Sequence, residues 1–204
     1  MLFDNTIQLT RYNAPNINNV DKTSIIKDIE TKLSNNKIYD IDGEPDEIAV
    51  GWADFENIFE TNLNNFWFDL DDHNDIIKIS MRFDEKKINK NILKKEMNEK
   101  IKEIKQNGYE VNKAQKKEIK EQVSDVLFSK AKAEPKGFNV IWKPYKGKVY
   151  LFSTNKKVND AFQTLFYSTF EVALTPVIPF ELALENNEFC DIENISPCLF
   201  NKIN

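Results

Sequence analysis

Apolar side chains recur three and four residues apart in four stretches of the chain and alternate with polar ones in several others, the spacings of amphipathic helices and half-buried strands. The first helical stretch carries Ile25, Ile26, Ile29 and Leu33, with Asp21 or Thr23 to cap it and Ser34-Asn35-Asn36 to end it. Two more follow closely, Leu93, Met97, Ile101 and Ile104, then Ile119, Val123, Val126 and Leu127. Between them lies Gln106-Asn107-Gly108-Tyr109, where Gly108 supplies the positive φ of a helix C′ position and Asn112 caps the second helix. The spacing therefore predicts a helical hairpin. The fourth helix runs over 156–168, capped by Asn155, with Val158, Ala161, Phe162, Leu165 and Phe166 inward.

Strands are predicted over 3–12, 48–52, 66–68, 76–83, 138–142, 148–152 and 170–178, with a helical turn over 180–184. In 76–83, Ile77, Ile79, Met81 and Phe83 share one face, and Lys78, Ser80 and Arg82 share the other, so one side is core and the other is available. Gly51 allows backbone to approach or a bulge to form, and Pro144 and Gly147 turn the 138–142 strand back onto 148–152. The fold class expected is α+β, with antiparallel sheets, segregated helices and a protruding charged helical hairpin. Residues 1–84, 85–132 and 133–204 form an N-terminal α+β region, the hairpin and a C-terminal α+β region of one continuous fold.

Charge sharpens that picture. Residues 82–130 hold 14 of the 28 Lys and Arg but 9 of the 33 Asp and Glu, a formal +5 against −10 for the remainder. A polyanion would therefore meet a local surface, since the whole chain carries −5. With 26 Lys and 25 Asn against 2 Arg, an AT-rich coding background accounts for part of the lysine. Pairs such as Glu96 with Lys100 and Glu99 with Lys102 would lower the field the helices present. Met1-Leu2-Phe3 is cut short by Asp4 and Asn5, so no signal or membrane-span run opens the chain, and a cytoplasmic, nucleoid-associated protein without membrane contact is expected.

Chemistry is sparse. Cys190 and Cys198 have neither a nearby histidine nor C-x-x-C spacing. Asp69, Asp71, Asp72 and Asp75 surround His73, the single histidine, but match no metal-ligand pattern and read as an acidic surface turn. Five glycines without clustering exclude a phosphate-binding loop, and no Ser or Cys sits in a nucleophile elbow. No enzyme activity, metal or cofactor is expected, and Trp52, Trp67 and Trp142 read as core. The residues suited to phosphate are Arg82, leaving its strand on the non-core face; Lys86, Lys87 and Lys90 on the loop after it; Lys113, Lys116 and Lys117 on the second hairpin helix; and Lys156 and Lys157, which open a helix whose free N–H groups can help hold an anion. The alternative for Arg82 is a salt bridge to Glu85 or to an acidic helix residue.

An ordered series of short motifs points to a family. Gly51-Trp52, Arg82 with Glu85-Lys86-Lys87-Ile88, Glu99-Lys100-Ile101, Glu118-Ile119-Lys120-Glu121 with Val123, Trp142, Lys156-Lys157 and Leu174-Thr175-Pro176-Val177-Ile178-Pro179 together resemble the RdgC family over nearly the whole chain. That resemblance implies a recombination-associated nucleoid protein that binds double-stranded DNA without sequence preference, as a ring-shaped homodimer that restrains a RecA-type recombinase. Some members carry an exonuclease label, for which no catalytic constellation is found here. The chain departs from the family where Ile88-Asn89-Lys90 replaces a leucine-proline and Ser129-Lys130-Ala131-Lys132-Ala133-Glu134-Pro135-Lys136 replaces a Pro-Arg-Ala-Phe-Ser-Arg type segment. Family members usually continue beyond the point matching Asn204, so the likeness is to a divergent, C-terminally shortened relative.

Overall fold

In the computed structural model, which describes residues 8–17, 21–63, 66–68 and 75–178, the chain runs β1 (Thr10–Asn13), α1 (Lys22–Asn35), β2 (Ile48–Ala53), β3 (Trp67–Phe68), β4 (Ile76–Lys86), α2 (Lys90–Gln106), α3 (Lys113–Lys130), β5 (Ala133–Lys143), β6 (Lys148–Leu151), α4 (Lys156–Phe170) and β7 (Thr175–Pro176). All seven strands join one antiparallel sheet in the order β2-β4-β5-β6-β1-β7, with β3 also on β4. The architecture is α+β, built on a single sheet. No helix among the described residues is long and apolar enough to cross a membrane.

The register of β4 explains both faces of the sheet. Ile77, Ile79, Met81 and Phe83 are buried as the alternation requires, and all but Phe83 belong to a core with Trp52, Tyr12, Trp142, the inner residues of α1 (Ile25, Ile29, Leu33) and those of α4 (Val158, Phe162, Phe166). The rings of Trp142 and Phe170 lie 5.0 Å apart and those of Phe166 and Phe170 4.7 Å apart, tilted as aromatic quadrupoles prefer. Trp52 donates to Thr169 Oγ1 at 2.8 Å, and the half-buried Trp67 donates to Asp75 at 3.1 Å.

The other face is not available. Ser80, Asp84 and Lys86 are buried, because residues 36–60 fold over that side and form a smaller cluster of Ile38, Ile41, Ala49 and Ala53 against Ile58 and Ala133. Glycine makes this second layer fit, since a Cβ on Gly51 would stand 2.5 Å from the Ile38 backbone and one on Gly137 2.3 Å from Ile58. That segment lacks periodicity and reads from sequence as turns.

Other boundaries shift for local reasons. β5 begins at Ala133, five residues before the predicted start, and tolerates Pro135 because β6 reaches only Val140, leaving that side of β5 an edge. The strand predicted over 170–178 is mostly absent: helical spacing continues through Phe162, Phe166 and Phe170, Glu171 closes α4 at φ 60°, and only Thr175–Pro176 pair with β1. The predicted turn over 180–184, both cysteines and most of the 3–12 strand lie outside the described residues, as do Asp69, Asp71, Asp72 and His73.

Buried Tyr12 links sheet to helix, its hydroxyl donating to Asn159 Oδ1 at 2.5 Å. Burial, then the charge of Asp160, pushes its phenol up to about 12. Because this lies above the unfolded value of about 10, the unfolded chain loses its proton first. Stability is thus unaffected below about pH 10 and falls between pH 10 and 12, by roughly 2–3 kcal/mol. Urea titrations across that range should show the fall in the wild type and lose most of it in Tyr12→Phe.

Candidate nucleic-acid interface

β4 and β5 pair from Ile77 with Trp142 to Lys86 with Ala133, and α2 and α3 are inserted between them as a hairpin that packs chiefly on itself. Its turn forms as the sequence dictates. Gly108 takes φ 83°, its N–H bonds the Lys105 carbonyl, and the Tyr109 N–H bonds that of Ile104, a Schellman closure. Asn112 and Gln115 then cap α3 reciprocally, each at 2.9 Å. Of the two helices' residues only Ile119 and Val123 are fully buried, so the hairpin stands out from the sheet with its charged faces in solvent.

Two of the predicted phosphate ligands are spent inside the fold. Arg82 lies mid-strand, where its Nε and guanidinium NH2 donate to the two oxygens of Asp84 at 2.7 and 2.6 Å; the Asp84 side chain is 0% exposed and that of Arg82 15%. Phe59 stacks over the guanidinium, 5.4 Å from it. A strand places residues two apart on the same face, so Asp84 reaches Arg82 where Glu85 cannot. Lys86 is 1% exposed and gives its ammonium to the carbonyls of Ile41, Glu44 (2.7 Å) and Phe128 (3.0 Å). It ties the end of α3 to the turn after residue 40. Asp42 tightens the same junction by accepting from Lys132 and the Ala133 N–H, the latter bond being the main reason its carboxyl is held below the usual range. Lys86→Met keeps the stem but strips three carbonyls of a donor, so a loss of about 1–3 kcal/mol in urea denaturation is expected. Faster tryptic cleavage at Lys130 and Lys132 should accompany it.

The remaining candidates do not form one cluster. Lys87 pairs with Glu134 at 3.1 Å, a bond that raises its pKa, but both side chains are exposed and the pair contributes little. Lys157 pairs with Glu85 at 2.5 Å, holding that carboxyl low, and its ammonium lies 5.4 Å from the Phe83 ring. Phe83 and Glu85 point to the face of β4 opposite Arg82, so Lys156 and Lys157 sit across the sheet from Arg82 and Lys86. Lys90, Lys113, Lys116 and Lys156 are exposed and carry no ion pair among the described residues.

What the hairpin assembles is different. At about 3.6 residues per turn, Lys94, Lys95, Lys102 and Lys105, with Asn91 and Asn98, fall on one flank of the apolar seam of α2, while Glu96, Glu99 and Glu103 fall on the other. On α3, Lys113, Lys116, Lys117 and Lys120 take the flank in the same rotational sense, and Glu118, Glu121 and Asp125 the opposite one. Antiparallel helices are related by a twofold axis normal to their common plane, which keeps equal rotational positions on the same side. Both lysine flanks therefore form one face of the hairpin and both carboxylate flanks the other. Asn91, Lys94, Lys95, Asn98, Glu99 and Lys102 line a continuous groove along α2. Ion pairs cross only where flanks meet, Lys95 with Glu99 at 3.8 Å and Lys117 with Glu121 at 3.5 Å, in place of the pairs expected from Glu96 and Glu99. Projecting the lysines on a helical wheel would have found Lys94, Lys95, Lys102, Lys105 and Lys120 from sequence.

A family model described as "Putative exonuclease, RdgC" matches residues 8–188. The chain belongs to the RdgC family. This membership places it among recombination-related nucleoid proteins and covers the whole described fold, including the hairpin. No curated protein matches the chain. The exonuclease wording of the RdgC description directs attention to metal ligands. Among the described residues no group of three or more His, Cys, Asp or Glu could hold an ion, and Asp75, the one described member of the acidic turn, is buried against Lys22 at 2.8 Å.

Proposed function

We propose that this RdgC-family chain binds double-stranded DNA without sequence preference, through phosphates, using the lysine face of the α2–α3 hairpin, and that it does so as a non-catalytic homodimer acting on DNA engaged by a RecA-type recombinase. The observation that carries the reading is the separation of lysine from carboxylate across the hairpin. A net-acidic protein that mixed its charges evenly on these helices would present almost no field beyond a Debye length. A helix of this length spans about 26 Å, several phosphates of a duplex, and flexible lysines suit contacts that need no fixed base geometry. Arg82 and Lys86 act here by shaping the strand and the hairpin base.

Fluorescence anisotropy with two unrelated duplexes tests the reading. Equal affinities and a linear fall of log K with log salt, with a slope magnitude of about 4 or more, are expected for at least four to five phosphate contacts. A salt-insensitive affinity, or one that depends on sequence, would sink the proposal. Digestion of labelled duplex in Mg²⁺ by the purified chain, abolished by replacing Asp71 and Asp72, would overturn its non-catalytic part.

A further inference from the structure

The carboxylate face of the hairpin carries two aliphatic side chains that the fold leaves uncovered. Ile92 and Val126 are each 48% exposed, although both stand in helices whose other large aliphatics are at least half-buried in the seam. Ile92 falls between Glu99 and Glu103 on the α2 wheel, and Val126 lies on the α3 flank that leads to Glu118. The helices run antiparallel from a short turn, and these two residues lie at nearly equal distances from it. They consequently stand side by side near the base, beside Glu96 and Gln122, on the side away from the lysines. An apolar pair rimmed by unpaired carboxylates is a different surface from the DNA face. Among the described residues Glu96, Glu103 and Glu118 engage no ion pair, and each is exposed.

We infer that this face docks a basic amphipathic helix of a partner protein, whose aliphatic side chains cover Ile92 and Val126 while its Lys or Arg residues meet Glu96, Glu103 and Glu118. The carboxylates set the sign of the partner's charge and the aliphatic pair sets where it sits. Helix against helix is the geometry two neighbouring ridges accept, with anchors on the partner one turn apart. A small acidic or neutral partner would gain nothing from the rim. Because docking and DNA contact use opposite faces, both can occur on one hairpin, and the inference does not depend on the DNA reading.

The test uses the full chain and a fluorescein-labelled synthetic helix with leucines on one face and lysines on the other. Saturable binding is expected, weakened about tenfold in the Ile92→Ser/Val126→Ser variant through loss of the half-buried aliphatic area, and unchanged in a variant with Lys94, Lys95, Lys102 and Lys105 replaced by Gln. The serine variant should keep the wild-type salt slope for duplex DNA. Failure of the wild type to bind the peptide overturns the inference, and so does equal binding by the serine variant, which would reduce the attraction to net acidity. Loss of peptide binding in the glutamine variant would also overturn it, since the two faces would then not be separate.

Discussion

Replacing Lys94, Lys95, Lys102 and Lys105 together by Gln is expected to weaken duplex binding about 10²–10³-fold near 0.1 M salt and to lower the magnitude of the salt slope by roughly 3–4, close to 0.9 for each phosphate that is no longer neutralised. Glutamine nearly matches lysine in helix propensity, and all four side chains are exposed, so the fold should be preserved and the circular dichroism unchanged. The counterpart on the other face provides the contrast. Glu96→Gln with Glu103→Gln removes negative charge of the same helix at a similar radius and should raise affinity only slightly, with the slope unaltered. If the four-lysine variant kept both affinity and slope, phosphate contact would have to lie elsewhere, and the exposed Lys156 at the start of α4 would become the next place to look.

Arg82→Ala is expected to cost about 3–5 kcal/mol of folding stability, the scale for stranding one member of a buried pair. The expectation rests on Asp84 more than on Arg82. A carboxylate with no exposed surface, deprived of bonds of 2.7 and 2.6 Å, must either remain charged without a partner or take up a proton. Arg82→Lys should recover little, because a single ammonium cannot reproduce the two-pronged geometry. Arg82→Met with Asp84→Met removes both charges, and its stability should return most of the way to the wild type. Urea denaturation of the four proteins decides the matter, and a single alanine variant within about 0.5 kcal/mol of the wild type would refute the buried pair. Where Arg82→Ala remains folded, its salt slope for DNA should match the wild type, which separates a structural arginine from a phosphate ligand.

That contrast shows what can be read from the chain and what cannot. The seam residues of the hairpin, Gly108 at its turn and the caps at Asn112 and Asn155 are all legible, since local geometry alone specifies them. The buried face of β4 is legible for the same reason. Its second face is not, because the cover comes from Ile38, Ile41 and Ile58, which are scattered through a segment with no repeat to betray it. Arg82 lies one step further on. The alternation puts it on the correct side, but Glu85 is the wrong partner because an odd spacing along a strand points it away, whereas Asp84 shares the arginine's side. Lys86 shows the limit of charge counting, since a lysine in a basic run binds three carbonyls. The lysine face itself is within reach of the helical period, and a sum of charges over the run conceals it.

The hairpin leaves and re-enters the sheet between two strands that already pair with each other along their full length. Its base is therefore closed by the ladder, with Lys86 and Asp42 as clasps, whatever its reach. Adding or deleting whole helical turns at the tip would change how far the arm extends over a duplex without altering any register in the sheet, and at little entropic cost. The arm can thus vary in span while the body that carries it stays constant, so the reach around DNA and the stability of the fold are free to diverge independently.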